Sequence, residues 1–121
     1  MEKKLDQKKN QGELVVDIYE ENKELVVRAP IAGINLNDIE VIFEDDTLII
    51  KGERKEQEKR DEKNYFLKEC FFGPFLREII LPKEIDSSRA RAKYENGFLI
   101  IKAPIIISLL HLSAILPGAR K

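Results

Sequence analysis

Residues that build redox and metal sites are scarce in this chain of 121 residues, which has one Cys, one His and no Trp. A single Cys excludes an intrachain disulfide, a CxxC redox pair and a cysteine cage for zinc. A single His excludes a metal site built from several histidines. We therefore expect the protein to hold neither a metal nor a cofactor.

The chain also has no excess of charge of one sign, because its 21 Lys and Arg residues nearly balance its 22 Asp and Glu residues and the net charge is −1. Domains that bind nucleic acid normally have a strongly basic face. Two basic groups occur here, but neither has interleaved aromatic side chains on which bases could stack. They are Lys3, Lys4, Lys8 and Lys9 near the N-terminus, and Arg89, Arg91 and Lys93 farther along. We expect no nucleic-acid partner.

Long apolar runs are absent as well. Residues Met1–Glu13 are mostly polar, so we expect no signal peptide, a cytoplasmic location and a short disordered N-terminal arm. The longest apolar stretch, Ile105–Leu116, is interrupted by polar residues. It is also shorter than the roughly 20 residues that a membrane span requires. We expect no membrane span.

The groups needed for catalysis are equally sparse. The sequence has no GxxxxGK[ST] loop for nucleotide phosphates. Nucleophilic catalysis needs a Ser or Cys with a base held against it. Cys70 instead lies among Glu69, Phe71 and Phe72, and the single histidine, His111, is far away in the sequence. We predict that Cys70 is a buried structural residue of a strand and that the protein is not an enzyme.

Apolar and polar residues alternate with period two over the middle of the chain, which is typical of β-strands. The strongest hairpin signal is Asn96-Gly97, because both central residues of a type I′ turn need a positive φ. About eight short strands and no long amphipathic helix predict an all-β fold, an antiparallel immunoglobulin-like β-sandwich. The predicted strands lie within residues 14–19, 24–30, 39–44, 47–51, 65–72, 75–81, 89–94 and 98–103.

One internal stretch, Gly52–Asn64, contains no apolar residue. A helix here would have no face to bury, so the composition predicts a mobile, solvated loop. The chain as a whole divides into three predicted parts. They are the polar arm over residues 1–13, a β-domain over residues 14–104 and an atypical apolar tail over residues 105–121.

A recognisable signature lies at residues 92–99, where AKYENGFL resembles the A-x-x-x-N-G-x-L motif of the small heat-shock proteins, the α-crystallin domain family. The motif residues are Ala92, Asn96, Gly97 and Leu99. Further blocks agree with the family in order and spacing, and together they cover about Leu14 to Pro104. They are VDIY at residues 16–19, APIAG at 29–33, DIEV at 38–41, LIIKGER at 48–54 and GPFLREIILP at 73–82.

The resemblance implies a homodimer or a larger oligomer. In bacterial-type members, a long loop carries an extra strand that pairs with the partner subunit. Here residues 52–64 would provide the reach and Tyr65, Phe66 and Leu67 the exchanged strand. The strand would pair with the partner's edge, which contains Leu14, Val16 and Ile18, and would cover an edge that otherwise invites aggregation.

The resemblance also implies a groove for clients or for a neighbour's tail. It would lie between the strand with Ile39, Val41 and Phe43 and the strand with Ala90 and Ala92. Family tails dock in such a groove through an I-x-I motif. The candidates here are Ile105 with Ile107, and Leu110 with Leu112.

The tail leaves several structures open, because its apolar residues occur on more than one face of a helix. It can pack on its own sandwich, dock in the groove of a neighbour or drive association. For the whole protein, the resemblance implies an ATP-independent holdase chaperone. Such a protein binds partly unfolded clients and prevents their aggregation. The alternative is an adaptor, a co-chaperone-like β-sandwich module that binds one folded partner.

Overall fold

Seven strands form two antiparallel sheets in the computed structural model, which describes residues 14–107. The strands are β1 (Asp17–Glu21), β2 (Glu24–Pro30), β3 (Ile39–Glu44), β4 (Thr47–Arg54), β5 (Gly73–Ile80), β6 (Arg91–Glu95) and β7 (Phe98–Pro104). One sheet has the order β1-β2-β7-β6 and the other the order β3-β4-β5. The predicted fold class, an antiparallel β-sandwich, is confirmed.

Short hairpins connect the neighbouring strands. Asn96 and Gly97 have φ values of 54° and 80°, as the predicted type I′ turn between β6 and β7 requires. Asn22 and Lys23 adopt the same left-handed conformation between β1 and β2, with φ values of 54° and 65°. Three single turns of 3-10 helix lie in the longer connections, at Leu36–Asp38, Glu62–Asn64 and Ser87–Arg89. In the described part of the chain, no helix is long and apolar enough to cross a membrane.

The core lies between the two sheets and is made of inward-facing apolar residues of the strands and of the adjoining connections. Leu48, Ile50 and Leu99 are fully buried. Around them lie Leu14, Leu25, Val27, Ala29, Ile31, Phe75, Ile79, Leu81 and Ile101. Among the described residues, every buried side chain is apolar. Burial of apolar surface between the sheets therefore stabilises this sandwich.

The strand β4 extends three residues farther than its composition suggests. Gly52 faces Phe75 of β5, and the pairing continues to Arg54 opposite Gly73. A Cβ at Gly52 would lie 2.2 Å from the carbonyl oxygen of Asp38, so only glycine fits here. The prediction of a mobile loop over residues 52–64 is therefore wrong for its first three residues, because pairing with β5 orders them as the end of β4.

Other predicted boundaries also need correction. The first strand begins at Asp17, three residues later than predicted, although Leu14 itself is buried. Residues 65–72 form no strand in the single chain. The prediction of a buried Cys70 in a strand is wrong, because Cys70 is exposed on this irregular segment. The predicted disordered arm over residues 1–13, together with residues 108–121, lies outside the described residues.

Candidate binding groove and subunit contact

The two sheets meet differently on the two long sides of the sandwich. Arg77 of β5 donates a hydrogen bond of 2.7 Å from Nη1 to the carbonyl oxygen of Leu14, just before β1. Lys83 lies 3.9 Å from Glu20 of β1. The β5 edge of one sheet therefore faces the β1 edge of the other. On the opposite side, the edge strands β3 and β6 remain as the facing pair.

The side between β3 and β6 is open. Ala92 pairs with the buried Ile101 of β7 and therefore points to the inner side of its sheet. Ala92 is nevertheless exposed, since its small side chain leaves the sheet edge uncovered. We call this feature the β3–β6 groove, and its residues are Ile39, Val41, Phe43, Ala90 and Ala92. Four of the five predicted groove residues therefore lie on the edge strands β3 and β6, and Ala90 directly precedes β6.

Three apolar residues of β3, all on the inner side of their sheet, provide the apolar floor of this groove. Ile39, Val41 and Phe43 are partly buried and pack against the core. Ala90 is partly buried at the end of the 3-10 turn that leads into β6. Each of the three β3 side chains therefore serves the core and keeps part of its surface accessible.

The hairpin of the signature motif fixes the β6 edge. The Tyr94 hydroxyl donates a hydrogen bond of 2.6 Å to the carbonyl oxygen of Ile31. The Ile31 amide in turn donates to the carbonyl oxygen of Gly97, at 2.8 Å. Leu99 of the same motif points into the core, as predicted, and is fully buried. These contacts attach the β6–β7 hairpin to the connection after β2, and thereby hold Ala92 in place.

A salt bridge fixes β6 from outside. Arg91 forms a bidentate pair with Glu24 at the start of β2, with distances of 2.6 and 2.8 Å. The hydrogen bond from Arg91 lowers the pKa of the Glu24 carboxyl below its ordinary value, and the same bond raises the pKa of Arg91. The strand at the groove edge is therefore attached to β2 across the intervening β7.

The predicted subunit contact covers residues 52–72, and we call its part after β4, residues 55–72, the crossing loop. Two of its apolar side chains are highly exposed: Phe66 is 106% exposed and Leu67 is 72% exposed. Tyr65 behaves differently, because its hydroxyl lies 2.8 Å from the Glu56 carboxylate within the same loop. The loop thus presents two large apolar side chains that the described part of its own chain does not cover.

Arg54 holds the base of the crossing loop. Its Nε donates a hydrogen bond of 3.0 Å to the carbonyl oxygen of Phe71, and its Nη2 donates to the same oxygen. Its Nη1 donates at 3.3 Å to the carbonyl oxygen of Ala32. The guanidinium also lies over the ring of Phe72, 5.2 Å from the centroid. Arg54 therefore joins both ends of the loop to the β2–β3 connection.

The strand β1 is an edge strand, hydrogen-bonded to β2 and to no other strand of the described chain. The predicted dimer residues near this edge turn their side chains inward. Leu14 is buried, and Val16 and Ile18 are partly buried against the core. The backbone edge at Asp17–Glu21 is therefore free for a partner strand, and of these side chains only Val16 and Ile18 keep part of their surface accessible.

The chain leaves the sandwich after β7 close to its own subunit. The Ile105 amide donates to the carbonyl oxygen of Lys23, and Ile106 donates to that of Glu84, at 3.1 and 2.8 Å. Ile105 also packs partly buried against the core, whereas Ile107 is exposed. Docking of Ile105 in a neighbour would break these contacts. Two other predicted docking residues, Leu110 and Leu112, lie outside the described residues, as does His111.

Within the described residues, side chains that could together bind a metal are sparse around the β3–β6 groove and the crossing loop. Across residues 14–107, no group of three or more His, Cys, Asp or Glu side chains could hold a metal ion. What the arrangement offers is apolar surface and free strand edges. Such features bind other polypeptide chains by burial and by strand pairing.

Comparison with known protein families agrees with this geometry. Residues 17–108 match the model of the Hsp20/alpha crystallin family. The chain belongs to this family. Small heat shock protein C2 of Rickettsia felis is 35% identical over 88 residues, which are 73% of this chain and 57% of that protein. Small heat shock protein C4 of the same organism is 30% identical and matched over 54% of its length. The chain thus spans about half the length of these relatives.

Solved structures of the family share the sandwich. Heat shock protein 16.0 from Schizosaccharomyces pombe superposes with a TM-score of 0.76 at 28% identity, covering 84% of this chain and 73% of that one. The hspA protein from Xanthomonas axonopodis gives a TM-score of 0.71 at 34% identity, covering 78% and 95%. The resemblance inferred from the sequence motifs is therefore confirmed at the level of family and fold.

Sequence reasoning missed three residues that organise the site, namely Arg54, Arg77 and Tyr94. The role of Arg77 could have been suspected from the sequence, because this charged residue occupies an inward-facing strand position between Phe75 and Ile79. Arg54 and Tyr94 had none, since their partners are main-chain carbonyl oxygens distant in the sequence.

Proposed function

We propose that this protein is an ATP-independent holdase chaperone that binds partly unfolded proteins and prevents their aggregation. The observation that carries the proposal is the β3–β6 groove, where inward-facing apolar residues stay accessible between two free strand edges. Membership of the Hsp20/alpha crystallin family supports the same role. Clients are held without a covalent step and without nucleotide.

Capture in this groove depends on burial of apolar surface. An unfolded segment that covers Val41 and Ala92 gains about 25 cal/mol for each Å² of apolar area removed from water. The free backbone groups of β3 and β6 add hydrogen bonds to an extended segment, whatever its side chains. Binding of this kind selects unfolded chains over folded ones, because only unfolded chains expose apolar side chains and free backbone together.

A client-aggregation assay tests the groove directly. We expect Ala92→Lys to abolish protection of a heat-labile model enzyme, measured by light scattering, because the lysine places a charge over the apolar floor. Glu95→Gln changes the net charge by the same amount on the outer face of the same strand and should leave protection intact. Full protection by the Ala92→Lys variant would refute the groove as the client site, and a requirement for ATP would refute the holdase proposal.

The adaptor alternative gives a different result in the same assay. An adaptor would not delay aggregation of unrelated model enzymes, although it would bind one folded partner. Absence of protection for several unrelated clients by the unmodified protein would therefore favour the adaptor.

We also propose that the crossing loop joins two subunits. Phe66 and Leu67 would leave water on reaching the free edge of β1 in the partner, and Arg54 would set the direction from which the loop departs. The strongest support is the high exposure of both side chains in the single chain. The dimer would cover two liabilities at once, an exposed apolar pair and an open strand edge.

Sedimentation analysis tests this contact. We expect Phe66→Ser combined with Leu67→Ser to shift the protein from dimer to monomer without unfolding the sandwich, since neither residue contributes to the core. Leu36→Ser, which also changes an exposed apolar residue outside the loop, is the control and should remain dimeric. A dimer of unchanged strength in the double variant would contradict the proposed contact.

A further inference from the structure

The outer face of the three-stranded sheet carries a group of four apolar side chains. Side chains directly opposite in antiparallel strands point to the same face, so the pairing of Ile42 with Ile49 and of Lys51 with Leu76 defines this surface. Ile80, two positions past Glu78, completes it. We call Ile42, Ile49, Leu76 and Ile80 the outer patch. Ile80 is 75% exposed and Leu76 is 38% exposed, while Ile42 and Ile49 are partly buried.

The outer patch lies on the side of the sheet opposite to the core. Its four members are neighbours, since Ile49 is directly opposite Ile42 and lies diagonally from both Leu76 and Ile80. No segment of residues 14–107 packs over the exposed Ile80. A contiguous apolar patch of this kind marks a surface that another segment or molecule covers.

The chain leaves the sandwich close to one end of this patch. The Ile106 amide is hydrogen-bonded to the carbonyl oxygen of Glu84, and Glu84 follows Ile80 by four residues. The Cα atoms of Glu84 and Ile80 are therefore at most about 15 Å apart. A depression of about 460 Å³ lies beside Glu84, lined by the Asp45-Asp46 turn and by residues 81–85. The depression thus extends from Glu84, which binds the Ile106 amide, to Leu81, the residue after Ile80.

We infer that residues 108–121 fold back on their own subunit and cover the outer patch. The segment contains Leu109, Leu110, Leu112, Ile115 and Leu116, which provide the apolar surface that the patch lacks. Its reach is sufficient. From Glu84 the segment must cover at most about 15 Å to Ile80 and then about 13 Å from Ile80 to Leu76, whereas the nine residues 108–116 span about 30 Å when extended.

Charge favours the same arrangement. The charged residues of these strands on the outer face are Glu40, Glu44, Glu53 and Glu78, together with Lys51, whose Nζ lies 3.7 Å from the Glu40 carboxylate. Residues 108–121 contain Arg120 and Lys121 and no acidic residue. Basic residues that follow the apolar part of the segment would lie among these glutamates after the apolar part has crossed the patch. A charged tail of this sign would be repelled by a basic surface.

Site-specific photo-cross-linking tests the inference in the full chain. Cys70→Ser removes the native thiol, and Ser113→Cys provides a position for a benzophenone maleimide within the segment. Equal amounts of isotopically light and heavy chains are mixed before illumination, and the products are mapped by mass spectrometry. We expect cross-links within one chain to residues 78–83 and to Ile49. Ile80→Lys should lower their yield about tenfold, because one apolar side chain is no longer buried.

Matched variants make the outcome decisive. Val15→Lys changes an apolar residue of similar exposure elsewhere on the sandwich and should leave the yield unchanged. Leu110→Ser combined with Leu112→Ser should also lower the cross-link yield, because these changes remove apolar side chains of the segment and leave the strands of the patch unaltered. The inference is overturned if cross-links join light to heavy chains, if they fall on Val41 or Ala92 of the β3–β6 groove, or if Ile80→Lys leaves their yield unaltered.

Discussion

The two long sides of the sandwich are bounded by similar edge strands, yet only one side is closed. Between β1 and β5, Leu14 fills the interior and Arg77 binds its carbonyl oxygen. Between β3 and β6, Ala92 faces inward and remains exposed. The β3–β6 groove therefore requires no special chemistry. It is the consequence of a small residue and of a missing cover at one edge of an otherwise ordinary apolar core.

The largest loss of stability should result from a substitution on the closed side, between β1 and β5. Leu14→Ala is expected to lower the free energy of unfolding by about 2–5 kcal/mol, because it leaves a cavity under the segment before β1. The neighbouring Val15 is exposed, so Val15→Ala should stay within about 0.5 kcal/mol of the parent. Urea denaturation measures both. Equal losses in the two variants would mean that Leu14 does not close this side.

A smaller loss is expected at the hydrogen bond across the same side. Arg77→Met keeps most of the apolar stem but removes the donor to the Leu14 carbonyl oxygen. A hydrogen bond from a charged group is worth about 1.5–3 kcal/mol, and this sets the expected loss. On the open side, Ala92→Lys should change stability by no more than about 0.5 kcal/mol. A large destabilisation by Ala92→Lys would contradict the description of that side as open.

The smallest effect concerns the surface pair that attaches the open-side edge. The Arg91 guanidinium lowers the pKa of Glu24 in the folded protein, so the pair stabilises the fold above the ordinary Glu pKa of about 4.3. This contribution disappears as the pH falls through the lowered value. Glu24→Gln should therefore be slightly less stable than the parent near neutral pH and equal to it in acid. Glu44→Gln, an exposed control, should show no such convergence when unfolding is followed across pH.

Much of the sandwich could be predicted from the sequence, because its signals are local. Period-two alternation placed the strands around Leu48 and Leu99, and Asn96-Gly97 fixed one hairpin through its demand for positive φ. The fold class and the family followed from such patterns and from the family motif.

The remaining features depend on contacts between residues distant in the sequence. The role of Arg54 rests on the carbonyl oxygens of Ala32 and Phe71, which no local pattern reveals. The end of β4 was missed because pairing with β5 orders polar residues that carry no apolar signal. Cys70 was misplaced for a related reason, since apolar neighbours suggested burial where the chain returns along the surface from the crossing loop.

Client capture on the open side is the central claim, and cross-linking from the two sides tests it most directly. In a Cys70→Ser background, Ala92→Cys and Val15→Cys place the same photo-reactive label on the open and the closed side, at two exposed positions. The labelled proteins are heated with a denaturing client and illuminated. We predict that the client is captured from position 92 and little from position 15. Equal capture from both positions, or capture from position 15 alone, would contradict the account.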